Sequence, residues 1–257
     1  MIDLLKAEEE FKKYVNNYDV KNPHIERKII HSYKVVDIAD IIANWLNLDE
    51  EDIKLAKLIA LLHDIGRFEQ LKIYGTYRDR ESIDHADFGV EILFKDGYIR
   101  KYIEDDKYDS IIYKAIKNHN KYRIEDGCTK EEELHCKIIR DADKTDIFRF
   151  FVDDIVKKEN VLYNYDKIKR QNICEEIRQA FKEYRIADAN KLESDLDWYL
   201  KNVAFIFDYN FKKGIEIVKN KKYLHVLVEA IEDAHNSLEV SYMKEQINKY
   251  FKKVLEE

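Results

Sequence analysis

Residues 58–70 read LIALLHDIGRFEQ. Four aliphatic side chains, Leu58, Ile59, Leu61 and Leu62, run straight into His63 and Asp64, and Ile65, Gly66 and Arg67 follow. The first half is a helix suited to a dry core. A buried polar group without a partner costs roughly 1–3 kcal/mol, and a buried charge costs more. An imidazole and a carboxylate side by side at the end of such a helix therefore demand compensation from elsewhere in the chain. Gly66 suits the left-handed residue just past a helix that ends near Asp64.

The composition bounds the answer. The chain has 257 residues, 45% apolar and 38% charged, with one Pro and six Gly. Few helix breakers among many Leu, Ile, Lys and Glu predict an all-α protein with a large core. The net charge of −7 with both signs interspersed gives no strong nucleic-acid signature. Cys128, Cys136 and Cys174 are widely spaced and form no CxxC pair, which argues against a disulfide framework or a zinc knuckle. No signal-like or membrane-spanning run occurs, so a cytoplasmic location and no membrane partner are expected.

Working outward, a helical period runs from about 26 to 46 through Ile30, Val35, Ile38, Ile42 and Leu46. Asp49 is placed to cap the helix that ends near Asp64. Residues 67–81 read as a loop, and Ser82 as the cap of a helix to about 95. Further helices are expected at about 108–119, 131–142 and 144–157. Beyond them the pattern stays helical at about 170–185, 189–209, 214–219 and 222–256. Residues 1–22 look only weakly amphipathic. The expected organisation is a core over 1–157 and a C-terminal helical extension over 158–257, packed on it. Trp45 and Trp198 read as core residues, and the aromatic run 148–151 as core or an oligomer contact.

Polar residues interrupt several apolar stripes. His31 shares one with Val35, Ile38 and Ile42, and His119 follows Ile112, Ala115 and Ile116. His85 lies near Gly89 and Ile92, and Asp143 lies between Ile139 and Ile147. A lone histidine on an apolar face is most often a core residue bonded to a carbonyl. Such intrusions on five helices are better explained together. A divalent cation taking neutral imidazoles and ionised carboxylates removes the cost of burying them unpaired. Asp64 has two oxygens, so it can share one ion with His63 and bridge to a second, for which His85 and His119 are available. His24, His135, His225 and His235 fall outside this set and read as surface or structural.

His31, then HDIG at 63–66, then Asp143 in IIRDADKTD, resembles the metal signature of the HD-domain superfamily of phosphohydrolases. The resemblance covers about residues 24–150. It implies an all-α HD-domain helical bundle around a metal site, followed by the C-terminal extension. His85 in DHADFG and His119 in AIKNHN resemble the extra ligands of two-metal members, including the HD-GYP phosphodiesterases. Those members carry a Gly-Tyr-Pro loop where this chain has Asn120 and KYRIEDG, a departure that argues against a cyclic-dinucleotide substrate. The implied ligands are His31, His63, Asp64, His85, His119 and Asp143. Asp141 is a competitor for Asp143; the ADK context favours Asp143.

The resemblance implies two divalent ions (Mn, Fe, Co or Ni) and a metal-activated water that attacks a phosphate ester, of a nucleotide or cyclic nucleotide. Asp64, Arg67 and Lys144 are the expected catalytic groups. Arg67, Lys121, Tyr77, Arg78 and Arg80 are the expected substrate contacts, set against the alternative of a packed loop whose charges are satisfied locally. A homo-oligomer is compatible with the sequence. Two rival classes fit the same residues: an HD-fold mixed-valent di-iron oxygenase, since four His and two Asp suit iron as well as manganese, and a non-catalytic HD-type binding module.

Overall fold

The computed structural model describes residues 2–157 and 165–256, and among them there is no strand. The chain divides into two compact units, Met1–Asp143 and Lys144–Glu257. The division falls inside one long helix. The boundary expected at 157/158 borders residues 158–164, which lie outside the described residues.

The first unit begins with α1 (Leu4–Val15). This helix is more strongly amphipathic than its charge suggests: Ala7, Phe11, Tyr14 and Val15 line one buried face. Pro23 opens α2 (Pro23–Trp45), where its fixed φ and missing N–H are harmless. Asp49 caps α3 (Glu50–Leu62) as expected, its carboxylate accepting the Asp52 N–H at 2.9 Å. α2 packs on α3, burying Val35, Ala39 and Ile42 of one and Leu55, Leu58, Ile59 and Leu62 of the other.

Beyond His63 the structure departs from the sequence reading. Residues 65–74 are not loop but α4 (Ile65–Tyr74), ended by Gly75 in the left-handed conformation at φ 67°. Gly66 is therefore not the residue past a helix end. It lies in the first turn of α4, where α5 (His85–Val90) crosses it. A Cβ on Gly66 would sit 2.4 Å from the His85 carbonyl oxygen and 2.7 Å from the Gly89 nitrogen. Glycine is needed there for close approach rather than for a turn. Asp84, not Ser82, caps α5: its carboxylate accepts the N–H groups of Ala86 and Asp87 at 3.0 and 3.1 Å. A short π-helical turn (Glu91–Lys95) follows, then α6 (Ile99–Tyr102) and α7 (Asp109–Asn118). The two helices expected at 131–142 and 144–157 are one continuous α8 (Lys130–Lys157).

The second unit has its own core of buried residues, among them Phe148, Ile177, Phe181, Leu196, Leu200, Val203, Leu227, Ile231 and Ile247. After α8 its helices are α9 (Tyr165–Ile168), α10 (Glu175–Glu183), α11 (Asp195–Val203), α12 (Lys212–Asn220), α13 (Tyr223–His235) and α14 (Leu238–Glu256). The helix expected over 189–209 is broken. Asp197 instead reaches back to the N–H groups of Glu193 and Ser194, in a capping box that starts α11 afresh. The 222–256 helix is split at Asn236, which takes a left-handed conformation at φ 39°. Neither tryptophan is core: Trp45 is 42% and Trp198 37% exposed. Trp45 lies one turn beyond Ile41, also exposed, on the outer face of α2, and Trp198 points away from the buried face of α11 that carries Leu196, Tyr199, Leu200 and Val203. Among the described residues no helix is long and apolar enough to cross a membrane.

Candidate metal centre

Five helices and one helix junction bring the six residues together. His31 is a mid-helix residue on the buried face of α2. His63 is the C-cap of α3 and Asp64 the residue before α4. On an unbroken helix adjacent side chains diverge by about 100°. Here the helix breaks between them, and Asp64 at φ −103°, ψ 17° turns the chain so that both face inward. His85 is the first residue of α5, His119 the C-cap of α7, and Asp143 sits within α8.

The ligand atoms form two adjoining groups. In the first, His31 Nε2 and His63 Nε2 lie 3.2 Å apart. Asp143 Oδ1 is 3.1 Å from His31 Nε2 and 3.7 Å from His63 Nε2, and Asp64 Oδ2 is 3.5 and 3.6 Å from the same nitrogens. In the second, His85 Nε2 and His119 Nε2 are 3.0 Å apart, with Asp64 Oδ1 3.4 and 3.8 Å away. The two oxygens of Asp64 thus belong to different groups. All six side chains are buried or nearly so, Asp143 being the most open at 13%. Metal–ligand bonds of about 2.0–2.2 Å put neighbouring ligand atoms about 3–3.5 Å apart, and the distances in the two groups run from 3.0 to 3.8 Å, within or slightly beyond that spacing.

The chemistry of the donors makes the same point. His63 Nδ1 bonds the Ala60 carbonyl and His119 Nδ1 the Ile116 carbonyl, each at 2.7 Å, while His85 Nδ1 bonds Asp79 Oδ2 at 2.6 Å. Each bond fixes a proton on Nδ1 and leaves the Nε2 lone pair facing inward. Two such lone pairs 3.0 Å apart repel unless a cation lies between them. The residues therefore fit divalent cations.

Burial alone raises the Asp64 carboxyl, but the Lys28 ammonium first, with the neighbouring His63 and His85 imidazoles and the Arg67 guanidinium, outweighs it and holds it well below the ordinary range. Asp143 is likewise held low, burial being overcome by the neighbouring His31 and His63 imidazoles. Both are anionic at neutral pH. Burial, then the neighbouring His85 and His63, lowers the His119 imidazole to about 3, and burial with the Arg67 charge lowers His85. Both imidazoles are neutral and ready to ligate.

The remaining site residues of the sequence reading are placed as follows. Arg67 Nη1 donates to the Tyr77 carbonyl, Asp79 Oδ1 and Gln70 Oε1 at 2.6, 2.8 and 2.9 Å, tying α4 to the segment after it. Its buried Nε–H, 3.6 Å from Asp64 Oδ1, has no hydrogen-bond acceptor among the described residues. The Tyr77 ring lies 5.8 Å from the Arg67 guanidinium and its hydroxyl donates to the His24 carbonyl at 3.1 Å. Lys121 pairs with Asp84 and Asp87 at 2.7 and 2.8 Å. Arg78 is exposed and pairs with Glu81; Arg80 is exposed as well. Lys144 belongs to the second unit, where its buried ammonium pairs with Asp208. Asp141 is buried but joins none of the ligand groups among the described residues. His135 is a buried histidine beside Asp52, not a member of the centre.

Two neighbours of the centre escaped the sequence reading. Asp79 holds His85 from the far side. Burial pushes its carboxyl up, but the His85 hydrogen bond and the His85 and Arg67 charges bring it below the usual range. Lys28, one turn before His31 on α2, places its ammonium 2.6 Å from Asp64 Oδ2. The i−3 spacing from His31 is the signal that could have found it.

The family model for the HD domain matches residues 29–147, a span that includes all six residues of the centre. Residues 29–147 are therefore similar to an HD domain over a little under half of the chain. The chain is 29% identical over 140 residues to Ribonuclease Y of Mycoplasmoides gallisepticum, covering 52% of this chain and 21% of that protein. It is 24% identical over 213 residues to Ribonuclease Y 1 of Pediococcus pentosaceus, covering 79% of this chain and 34% of that protein. The chain thus spans about a fifth to a third of the length of these relatives. No solved structure matches it significantly.

Proposed function

We propose that this protein is a metal-dependent phosphohydrolase that cleaves a phosphate ester of a nucleotide, with His31, His63, Asp64 and Asp143 around one divalent cation and Asp64, His85 and His119 around a second. The observation that carries it is the pair of facing Nε2 atoms in each group, joined through the two oxygens of one carboxylate. Bound cations would supply a water of lowered pKa and stabilise charge on the phosphoryl oxygens. The chain's own residues do the rest. Asp64 holds the two subsites at a fixed separation. Asp79 and the Ala60 and Ile116 carbonyls keep three imidazoles in the tautomer that presents Nε2. The unpartnered Arg67 Nε–H, beside Asp64, is placed to donate to an oxygen of the substrate or of the attacking water.

The relatives are named for ribonuclease activity, so the phosphodiesters of short RNA belong among the substrates to be tried. The test is elemental analysis of protein purified without chelator, with a panel of nucleoside monophosphates, cyclic nucleotides and short oligoribonucleotides in Mn²⁺, Co²⁺ and Fe²⁺. Metal-dependent release of phosphate or of a cleaved ester supports the reading. Iron-dependent consumption of O₂ without phosphorus chemistry overturns it in favour of an oxygenase, and protein that binds no metal overturns it in favour of a binding module.

A further inference from the structure

Two cationic side chains, Lys28 and Arg67, lie beside Asp64, and Lys121 lies further out; they are not equivalent. Arg67 spends Nη1 on three acceptors of its own neighbourhood. Lys121 is neutralised by two carboxylates. Lys28 is different: its acceptor is Asp64 Oδ2, the same oxygen that faces His31 and His63. Its side chain is 19% exposed against 3% for Asp64. The ammonium therefore stands on the solvent side of the centre, at its rim.

The charges decide what Lys28 does next. Imidazoles ligate in their neutral form, so the six ligands together would carry −2, and two divalent cations would make the centre net positive. Asp64 then faces those cations with both oxygens, and its hold on a neighbouring ammonium weakens. The strongest remaining partner for that ammonium is an incoming anion. A lysine suits this exchange, since its ammonium is a point charge on a flexible stem with three donors. Its place is also framed. Lys28 and Arg67 each lie 5.8 Å from the Tyr77 ring, and Tyr77 is tied to the start of α2 through the His24 carbonyl. Lys28 and the free Arg67 Nε–H thus flank the same carboxylate.

We infer that Lys28 is a substrate-binding residue, held by Asp64 until a phosphoryl group arrives and then donating to one of its non-bridging oxygens. This rests on the phosphohydrolase reading above. A lysine that only balances a buried carboxylate would have the same geometry in the absence of cations but no part in anion binding.

The test measures inorganic phosphate binding by calorimetry to Mn²⁺-loaded wild type, Lys28→Met and Lys28→Arg, after a Mn²⁺ titration of each. The expected result is phosphate affinity lowered about tenfold or more in Lys28→Met and largely restored in Lys28→Arg. Mn²⁺ should bind Lys28→Met at least as tightly as wild type, because a competing cation is gone. With an ester substrate, KM should rise more than kcat falls. Equal phosphate affinity in Lys28→Met and wild type overturns the inference, and so does loss of Mn²⁺ binding together with phosphate binding. Wild type that hydrolyses esters but binds no phosphate overturns the role of Lys28 alone; wild type that does neither overturns the reading on which it rests.

Discussion

Asp64 is the residue on which the centre turns, because its two oxygens serve different imidazole pairs. The residues that gather around it were legible in sequence for one reason: a polar side chain on an apolar helical stripe is anomalous and asks for a partner. Asp79 and Lys28 were not legible, because a loop carboxylate and a lysine near a helix start are unremarkable until distances are known. Asp79 gives a residue-scale prediction. Asp79→Asn keeps the shape but removes the anion that accepts the His85 Nδ1 proton at 2.6 Å. We expect metal affinity or turnover to fall about 10–100-fold, as for other groups that orient a ligand from behind. Metal titration and steady-state rates check it; unchanged values for both would remove Asp79 from the centre. His63→Ala, by contrast, deletes a donor outright and should abolish turnover while circular dichroism keeps its helical signature.

At the scale of elements, the centre depends on how closely α4 and α5 approach. Gly66 and Gly89 face each other where they cross. Gly66→Ala forces a methyl group against the backbone of α5, a collision that no rotamer relieves. We expect a loss of about 1–3 kcal/mol, the range for overpacking, seen as a lower Tm, and weaker metal binding because His85 starts the displaced helix. Gly75→Ala is the control. Gly75 has φ 67° and nothing within 4 Å of an added Cβ, so only the left-handed penalty of about 1–2 kcal/mol applies and metal binding should stay unchanged. If Gly66→Ala binds metal and melts like wild type, the crossing is looser than described. The same glycine shows where sequence reasoning stopped. HDIG marked the site, but the sequence alone does not say whether a glycine serves a turn or a close contact, and reading a turn cost the α4 helix. α3 was legible because its cap and its apolar run agree.

For the molecule as a whole, the candidate metal centre lies within Met1–Asp143, and the second unit has a core of its own. The helical class of both units followed from composition. The breaks in the second unit did not, because they depend on the Asp197 capping box and a left-handed Asn236 rather than on Gly or Pro. The burial of so many ionisable groups has a consequence for stability. In chelator-treated protein, His119 titrates at about 3 and His85 below its ordinary value, whereas both titrate near 6.5 when unfolded. Imidazoles with lowered pKa contribute stability that is fully present above about pH 6.5 and is lost as the pH falls toward the folded value. The slope is up to about 1.4 kcal/mol per pH unit for each. Asp64 and Asp143, also lowered, add a further loss below about pH 4. The Tm of chelated protein should therefore fall steadily from pH 7 to pH 5; a flat profile would contradict the burial of neutral imidazoles.

The central claim is that one carboxylate joins two cation subsites. An anomalous difference map from crystals of Mn²⁺-loaded protein tests it most directly. We expect two peaks about 3.5–4 Å apart, one bounded by His31, His63 and Asp143, the other by His85 and His119, with Asp64 between them. Ordered solvent alone at those positions, or manganese bound elsewhere, would contradict it.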